Sequence, residues 1–266
     1  MNITIKSAAA ALFASLLFAG CGQGGDENKI KVGAIAGSEA QIVEEAAKVA
    51  KEKYGLEVEV VTFSDFATPN VALNDGSIDV NAFQHRPYLD SQIKDRGFKL
   101  VAVGNTFVYP IAGYSKKLKN ISELKEGAQI AVPNDPTNLG RSLLLLQKQG
   151  LIKLNAHSAL NATVLDIIDN PKKLKIVELE AAQLPRSLDD VDLAIINTVY
   201  ASQINLLPAR DGLFVEEKDS PYVNLIVARE DNQEAKKVKE FVASYQSEVV
   251  YKKAQELFQG GVVKGW

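Results

Sequence analysis

The stretch KIKVGAIAGSEAQIVEEAAKVAKEKYGLEVEVVTF, Lys29 to Phe63, decides the fold class. Lys29–Gly37 alternates and then runs apolar, as a strand does. Ser38 followed by Gln41 is a capping-box pattern. Ile42, Val43, Ala46, Ala47 and Ala50 then form an apolar face at helical spacing, and Gly55 ends the helix. Leu56–Phe63 alternates again. Strand, helix, strand in that order is a βαβ unit, and repeats of it imply an α/β protein with mostly parallel sheets.

The alternation continues outward. Thr68 is placed to cap a short helix with Pro69 at its first position. SIDVNAF, KLVAVGNTF, AQIAVPN, KLKIVELE, VDLAIIN and SPYVNLIVAR read as strands. PYLDSQIKDRG, RSLLLLQKQG and LPRSLDD read as helices, and the segment from Asn232 onward as one or two more. Parallel sheets bind ligands beyond the carboxyl ends of their strands. The loops to watch are therefore AGSEA, FSDFATPN, FQHRPY, PNDPTNLGR and NTVYAS.

The chain begins with Lys6 ahead of a short apolar run, Ala8–Ala19, and ends that run in FAGC. A run this short reads as an export signal over residues 1–20, not as a permanent membrane span, which needs about 20 apolar residues. Cys21 is the one cysteine, so it cannot close an internal disulfide. It stands directly after Ala19-Gly20, where a bacterial lipobox places its lipidated cysteine; an incidental cysteine after a plain secretory signal is the other reading. Residues 21–28 are glycine-rich and polar and read as a flexible tether.

Composition excludes little but points one way. The net charge is −3, with 46% hydrophobic and 24% charged residues. These are globular values with no broad basic field for nucleic acid. No P-loop, dinucleotide-binding glycine pattern, nucleophile elbow or H-E-x-x-H occurs. The two histidines, His85 and His157, have no metal-ligating partner at helical or finger spacing. No catalytic residue, metal or cofactor is expected, and His157 reads as a solvated or locally bonded loop residue.

Several strand exits look built for a small molecule. In VPNDPTNLGRSLLLL, polar residues and a glycine precede an apolar helix, where free backbone N–H groups form an anion site. Arg141 falls in or near the first turn, an unfavourable place for a cation unless a ligand carboxylate bonds it. A solvent-facing or locally paired Arg141 is the equal alternative. Phe66, Phe83 and His85 bring three rings to neighbouring strand exits, which suggests an apolar pocket with polar trim. Asn197 ends a strand, and Asn224 lies inside an apolar one. A buried asparagine must bond its neighbours' backbone or a ligand.

VNAFQHRPYLD, VGNTFVYPIAGYS, VPNDPTNLGRSLLLLQKQGLI, LPRSLDD, NTVYASQ, SPYVNLIVARED and the closing GGVVKGW together resemble the NlpA/MetQ family of methionine-binding lipoproteins, from about Lys29 to Trp266. The resemblance implies a two-lobed periplasmic-binding-protein fold, type II-like, with the ligand in the cleft. Lobe one is then expected over 29–108 plus 228–266 and lobe two over 109–227. It implies capture of L-methionine by a monomer, delivery to the permease and ATPase subunits of an ABC importer, and a lipid anchor at Cys21 holding the protein at the cell membrane, facing the periplasm. A methionine-containing dipeptide, another apolar amino acid, or an adhesion or signalling role are the alternatives. Residue by residue, the resemblance implies Asn138 and Arg141 at the ligand carboxylate, Asn197 and Asn224 at its amino and carboxylate groups, and Phe83 and His85 around its side chain. Phe66 stands where the family often has tyrosine, and Tyr109 is a further contact in FVYPIAGY, where the chain is expected to cross from lobe one to lobe two. Tyr88 reads as packing.

Overall fold

The computed structural model describes residues 28–266. The expected signal, tether and lipidation site at Cys21 lie outside the described residues. The opening unit folds as β1 (Lys29–Ile35), α1 (Ser38–Tyr54) and β2 (Glu57–Phe63), with β1 and β2 parallel and Ile30 opposite Val58. It is followed by α2 (Pro69–Asn74), β3 (Val80–His85), α3 (Arg86–Arg96) and β4 (Leu100–Val108). The chain then builds β5 (Ala112–Tyr114), β6 (Gln129–Pro133), α4 (Pro136–Lys148), β7 (Lys153–Leu154), β8 (Ile167–Asp169) and β9 (Lys175–Leu179). After these come α5 (Leu184–Ser187), β10 (Leu193–Ile196), α6 (Thr198–Gln203), α7 (Pro208–Asp211) and β11 (Phe214–Val215). It closes with β12 (Val223–Arg229), α8 (Lys236–Tyr245), α9 (Glu248–Leu257) and β13 (Val263–Lys264).

Among the described residues, one sheet runs β13-β4-β12-β3-β1-β2 and a second runs β11-β5-β10-β6-β9. The βαβ cores of both are parallel: β1 with β2 and β3, and β6 with β9 and β10. The late strand β12 inserts antiparallel between β3 and β4. β12 belongs to the first sheet along its whole length, so the chain returns there at Val223, earlier than the expected 228. Residues 109–111 and 216–222 join the two sheets.

Apolar faces explain the layers. Ile42, Val43, Ala46 and Val49 of α1 pack with Phe241, Val250 and Ala254 of the terminal helices over the first sheet. Leu139, Leu143 and Leu146 of α4 cover Ile130, Val132 and Ile195 of the second. A third cluster spans the two: Ile35, Phe83 and Tyr88 meet Ala131, Ile196 and Tyr200. That is where the strand exits of both sheets converge.

Two helix starts differ from expectation. Gly37, at φ +101°, is the residue before α1. Only glycine takes that conformation freely, and it draws Ser38 into the helix, where its hydroxyl meets that of Ser202 at 3.2 Å instead of capping. Thr68 does precede α2, but its hydroxyl donates to Asp65 at 3.1 Å. Among the described residues no helix is long and apolar enough to cross a membrane.

Candidate ligand-binding cavity

The eight positions singled out from the sequence come together. Phe66, Phe83, His85, Tyr109, Asn138, Arg141, Asn197 and Asn224 line one cavity, joined by Glu39, Gln84, Tyr88, Thr198 and Val199.

One wall is aromatic. β3 ends in Phe83 and His85, both inward because they are two residues apart on a strand. The Phe66 ring lies 5.9 Å from Phe83 and 4.9 Å from Tyr200, centroid to centroid. Tyr88, expected only to pack, also faces the cavity. Its ring is edge-on to Phe83 at 6.0 Å, and its hydroxyl donates to the Phe66 carbonyl at 2.8 Å. Rings held in tilted and edge-on contact form a stiff wall.

His85 also anchors a polar bridge. Its Nδ1 accepts from the Tyr88 N–H at 3.1 Å, capping α3. The ring proton of the neutral imidazole therefore sits on Nε2, which donates to Asn138 Oδ1 at 3.2 Å. Asn197 Nδ2 donates to the same oxygen at 2.9 Å. Asn138 Nδ2 donates in turn to Asp135, at 2.9 Å to Oδ2. The bridge ties β3 of the first sheet to α4 and α6 of the second. Burial, and then the Arg141 charge, pull the His85 pKa down to about 3, so the ring is neutral. Burial raises the Asp135 pKa, and hydrogen bonds from Asn138 and Thr137 oppose it.

The helix start expected to bind an anion is already filled. Asp135 caps α4, its carboxylate accepting the Asn138 N–H at 2.9 Å. Arg141 lies one turn further in than expected, buried. Its Nε donates to Glu216 Oε1 at 2.9 Å, and its Nη2 to Glu216 Oε2 and to the Tyr109 carbonyl, the last at 3.0 Å. The guanidinium also sits 4.3 Å from the Tyr222 ring centroid. Both chain segments that join the sheets thus hold Arg141, which also lines the cavity. Glu216 was not foreseen; an arginine on a leucine-rich helix signals the need for a carboxylate without saying where it comes from.

Asn224, in β12, donates through Nδ2 to the Phe83 carbonyl at 2.9 Å and to Glu39 Oε1 at 3.3 Å. Glu39 is the second unforeseen residue, although its loop, AGSEA, stood among those to watch. Two buried acceptors of the lining, Glu39 Oε2 and Asn197 Oδ1, have no hydrogen-bond partner. His157 is exposed, with its own backbone N–H on Asn155. Among the described residues no group of three or more His, Cys, Asp or Glu side chains is arranged to hold a metal ion.

Comparison with known proteins agrees with this architecture. The D-methionine-binding lipoprotein MetQ of Salmonella typhi is 68% identical over 263 residues, covering 98% of this chain and 97% of that protein. A crystal structure of the methionine-binding protein MetQ superposes with a TM-score of 0.90 at 69% identity, covering 91% of this chain and 99% of that one. A nutrient-binding protein from Burkholderia cenocepacia, solved bound to methionine, matches with a TM-score of 0.87 at 52% identity, over 89% of this chain and 100% of that one. The family model described as NlpA lipoprotein matches residues 30–266. By sequence and by fold, the chain belongs to the NlpA lipoprotein family.

Proposed function

We propose that the protein captures methionine in this cavity and hands it to an ABC importer. One observation carries the reading: a buried arginine, orphaned buried acceptors and a wall of aromatic rings share one cavity. A zwitterion needs a cation for its carboxylate and acceptors for its ammonium. A thioether against aromatic rings gains about 0.3–1.5 kcal/mol per contact. In this reading Arg141 meets the carboxylate. Asn197 and Asn224 serve the polar head, Asn138 holds its neighbours in place, and Phe66, Phe83, His85 and Tyr109 surround the remainder.

The fold supports two lobes, one around each sheet, with the crossings at 109–111 and 216–222 as the hinge and the cavity between them. Lipidation at Cys21 would anchor a monomer at the cell membrane, facing the periplasm, beside the permease and ATPase subunits that receive its cargo. The importer supplies the energy, and the binding protein supplies selection.

Calorimetry tests the reading on protein unfolded and refolded to strip any carried ligand. One tight methionine site is expected, with Gly-Met and leucine much weaker. The Salmonella relative carries D-methionine in its name, so both enantiomers belong in the titration; L-methionine is our first expectation. A stripped, folded protein that binds neither enantiomer overturns the proposal.

A further inference from the structure

Glu39 is the second residue of α1 and only 3% exposed. Its Oε1 accepts from Asn224 at 3.3 Å, and its Oε2, enclosed in the cavity lining, accepts from nothing. A buried carboxylate with an empty oxygen is costly unless it is protonated or meets a cation. The cavity offers it no cation of its own. Arg141 is committed to Glu216, and His85 is neutral with its Nε2 proton on Asn138. The partial positive charge at the start of α1 favours the carboxylate but supplies no counter-ion. Asn197 Oδ1 is a second unpartnered acceptor of the same lining. An ammonium group has three donors and no acceptor, so it is the chemical complement of these two atoms.

We infer that Glu39 is the counter-ion for the α-ammonium of the bound amino acid, and that the ligand on entering displaces a proton from Glu39 to bulk water. The inference rests on the amino-acid reading above and deepens it: the site requires a free cationic amine. An N-acylated methionine keeps the side chain and the carboxylate but brings no charge to Glu39, and is excluded.

Burial raises the Glu39 pKa well above its ordinary value, against hydrogen bonds from the Ile35 backbone and Asn224. On this inference the empty cavity, which brings no cation to Oε2, holds the acid form, and the ammonium pulls the pKa back down. The other groups around Glu39 keep their charge. The phenols of Tyr109 at the crossing, Tyr200 on α6 and Tyr245 on α8 are pushed up by burial and stay protonated. On β3, His85 stays neutral. On α4, Arg141 is paired with Glu216 and Asp135 keeps its bonds to Asn138 and Thr137. Binding favours ionised Glu39, so affinity rises with pH through the empty-cavity pKa and is flat above it. Below that point it falls by up to about tenfold per pH unit.

The test is calorimetry of methionine and N-acetyl-methionine on the refolded wild type and Glu39→Gln, between about pH 5 and pH 8, in two buffers of different ionisation enthalpy. Wild type is expected to release up to one proton per methionine and to reject the N-acetyl compound. Glu39→Gln should bind methionine about 100-fold more weakly, release no proton, lose the pH dependence and discriminate less between the two compounds. Ligand-free Glu39→Gln should also melt above wild type at the alkaline end, where the raised pKa makes Glu39 a cost. A variant that binds within about threefold of wild type with the same proton count overturns the inference while leaving the methionine site standing. Should the variant not fold, tight wild-type binding with no proton released and no pH dependence overturns it equally. Wild type that binds no methionine at any pH sinks the underlying reading instead.

Discussion

The cavity has a cationic end and an anionic end, and the protein treats them differently. Arg141 keeps a permanent partner: Glu216 takes it in two-pronged fashion, the Tyr109 carbonyl takes a third bond, and the Tyr222 ring covers its face. Glu39 accepts from Asn224 at 3.3 Å and leaves Oε2 without a hydrogen-bond partner. The contrast follows from acid–base chemistry. A guanidinium cannot shed its proton inside a protein, so a buried arginine must carry a permanent partner through every empty interval. A carboxyl group can take up a proton when its partner leaves. The anionic end can therefore stay open without an unpaired charge, and the cationic end cannot.

The comparison breaks most visibly at Glu216. Glu216→Ala leaves a nearly buried guanidinium without its carboxylate, and loss of one partner of a buried pair costs about 3–5 kcal/mol. Urea denaturation of the ligand-free variant is expected to show a loss of that size. Methionine should restore part of it by lending its own carboxylate to Arg141. A loss under about 1 kcal/mol would mean that the pair is worth no more than a surface ion pair, and Arg141 would not need its partner.

The anionic end is probed one step away from Glu39. Asn224→Ala removes the amide that links Glu39 Oε1 to the Phe83 carbonyl. Methionine affinity is expected to fall by at least about 100-fold, or about 2.7 kcal/mol, with a native far-ultraviolet circular dichroism spectrum. Near-native affinity in this folded variant would remove Asn224 from the site.

How much of this was readable beforehand follows the length of the signals. α1 and β12 carry patterns long enough to locate from apolar spacing alone. β5, β11 and β13 are two or three residues each; no period can be read from so few positions, and they form because neighbouring strands offer open edges. The aromatic wall was legible because Phe83 and His85 share a strand face. The polar wall was legible only as a set of residues, not as a set of bonds. Glu216 is 75 positions from Arg141, and nothing local to either announces the pair. Glu39 was hidden by a plausible cap: Ser38 and Gln41 fit a capping box, but the positive φ of Gly37 starts the helix one residue early and leaves the acid in the cavity lining.

His85 is the third buried ionisable group, and its treatment sharpens the contrast between the two ends. It is held neutral, between the Tyr88 N–H on one nitrogen and Asn138 on the other. Its pKa falls from 6.5 to about 3, burial first and the Arg141 charge second. The folded state therefore binds fewer protons than the unfolded state between those values. The contribution is full above the unfolded pKa and is lost as pH falls through that window, by up to about 1.4 kcal/mol per pH unit. His85→Asn keeps an acceptor for the Tyr88 N–H and cannot titrate. Between pH 7 and about pH 5, wild type should lose up to about 2 kcal/mol more than this variant in matched urea denaturations. An identical loss in both would mean that His85 titrates freely in the folded protein, and the bridge from β3 to Asn138 would have to tolerate a charged ring beside Arg141. The acid side of the stability profile then reads the cationic end, through a ring that must stay neutral near a fixed charge, while the pH dependence of methionine affinity reads the anionic end.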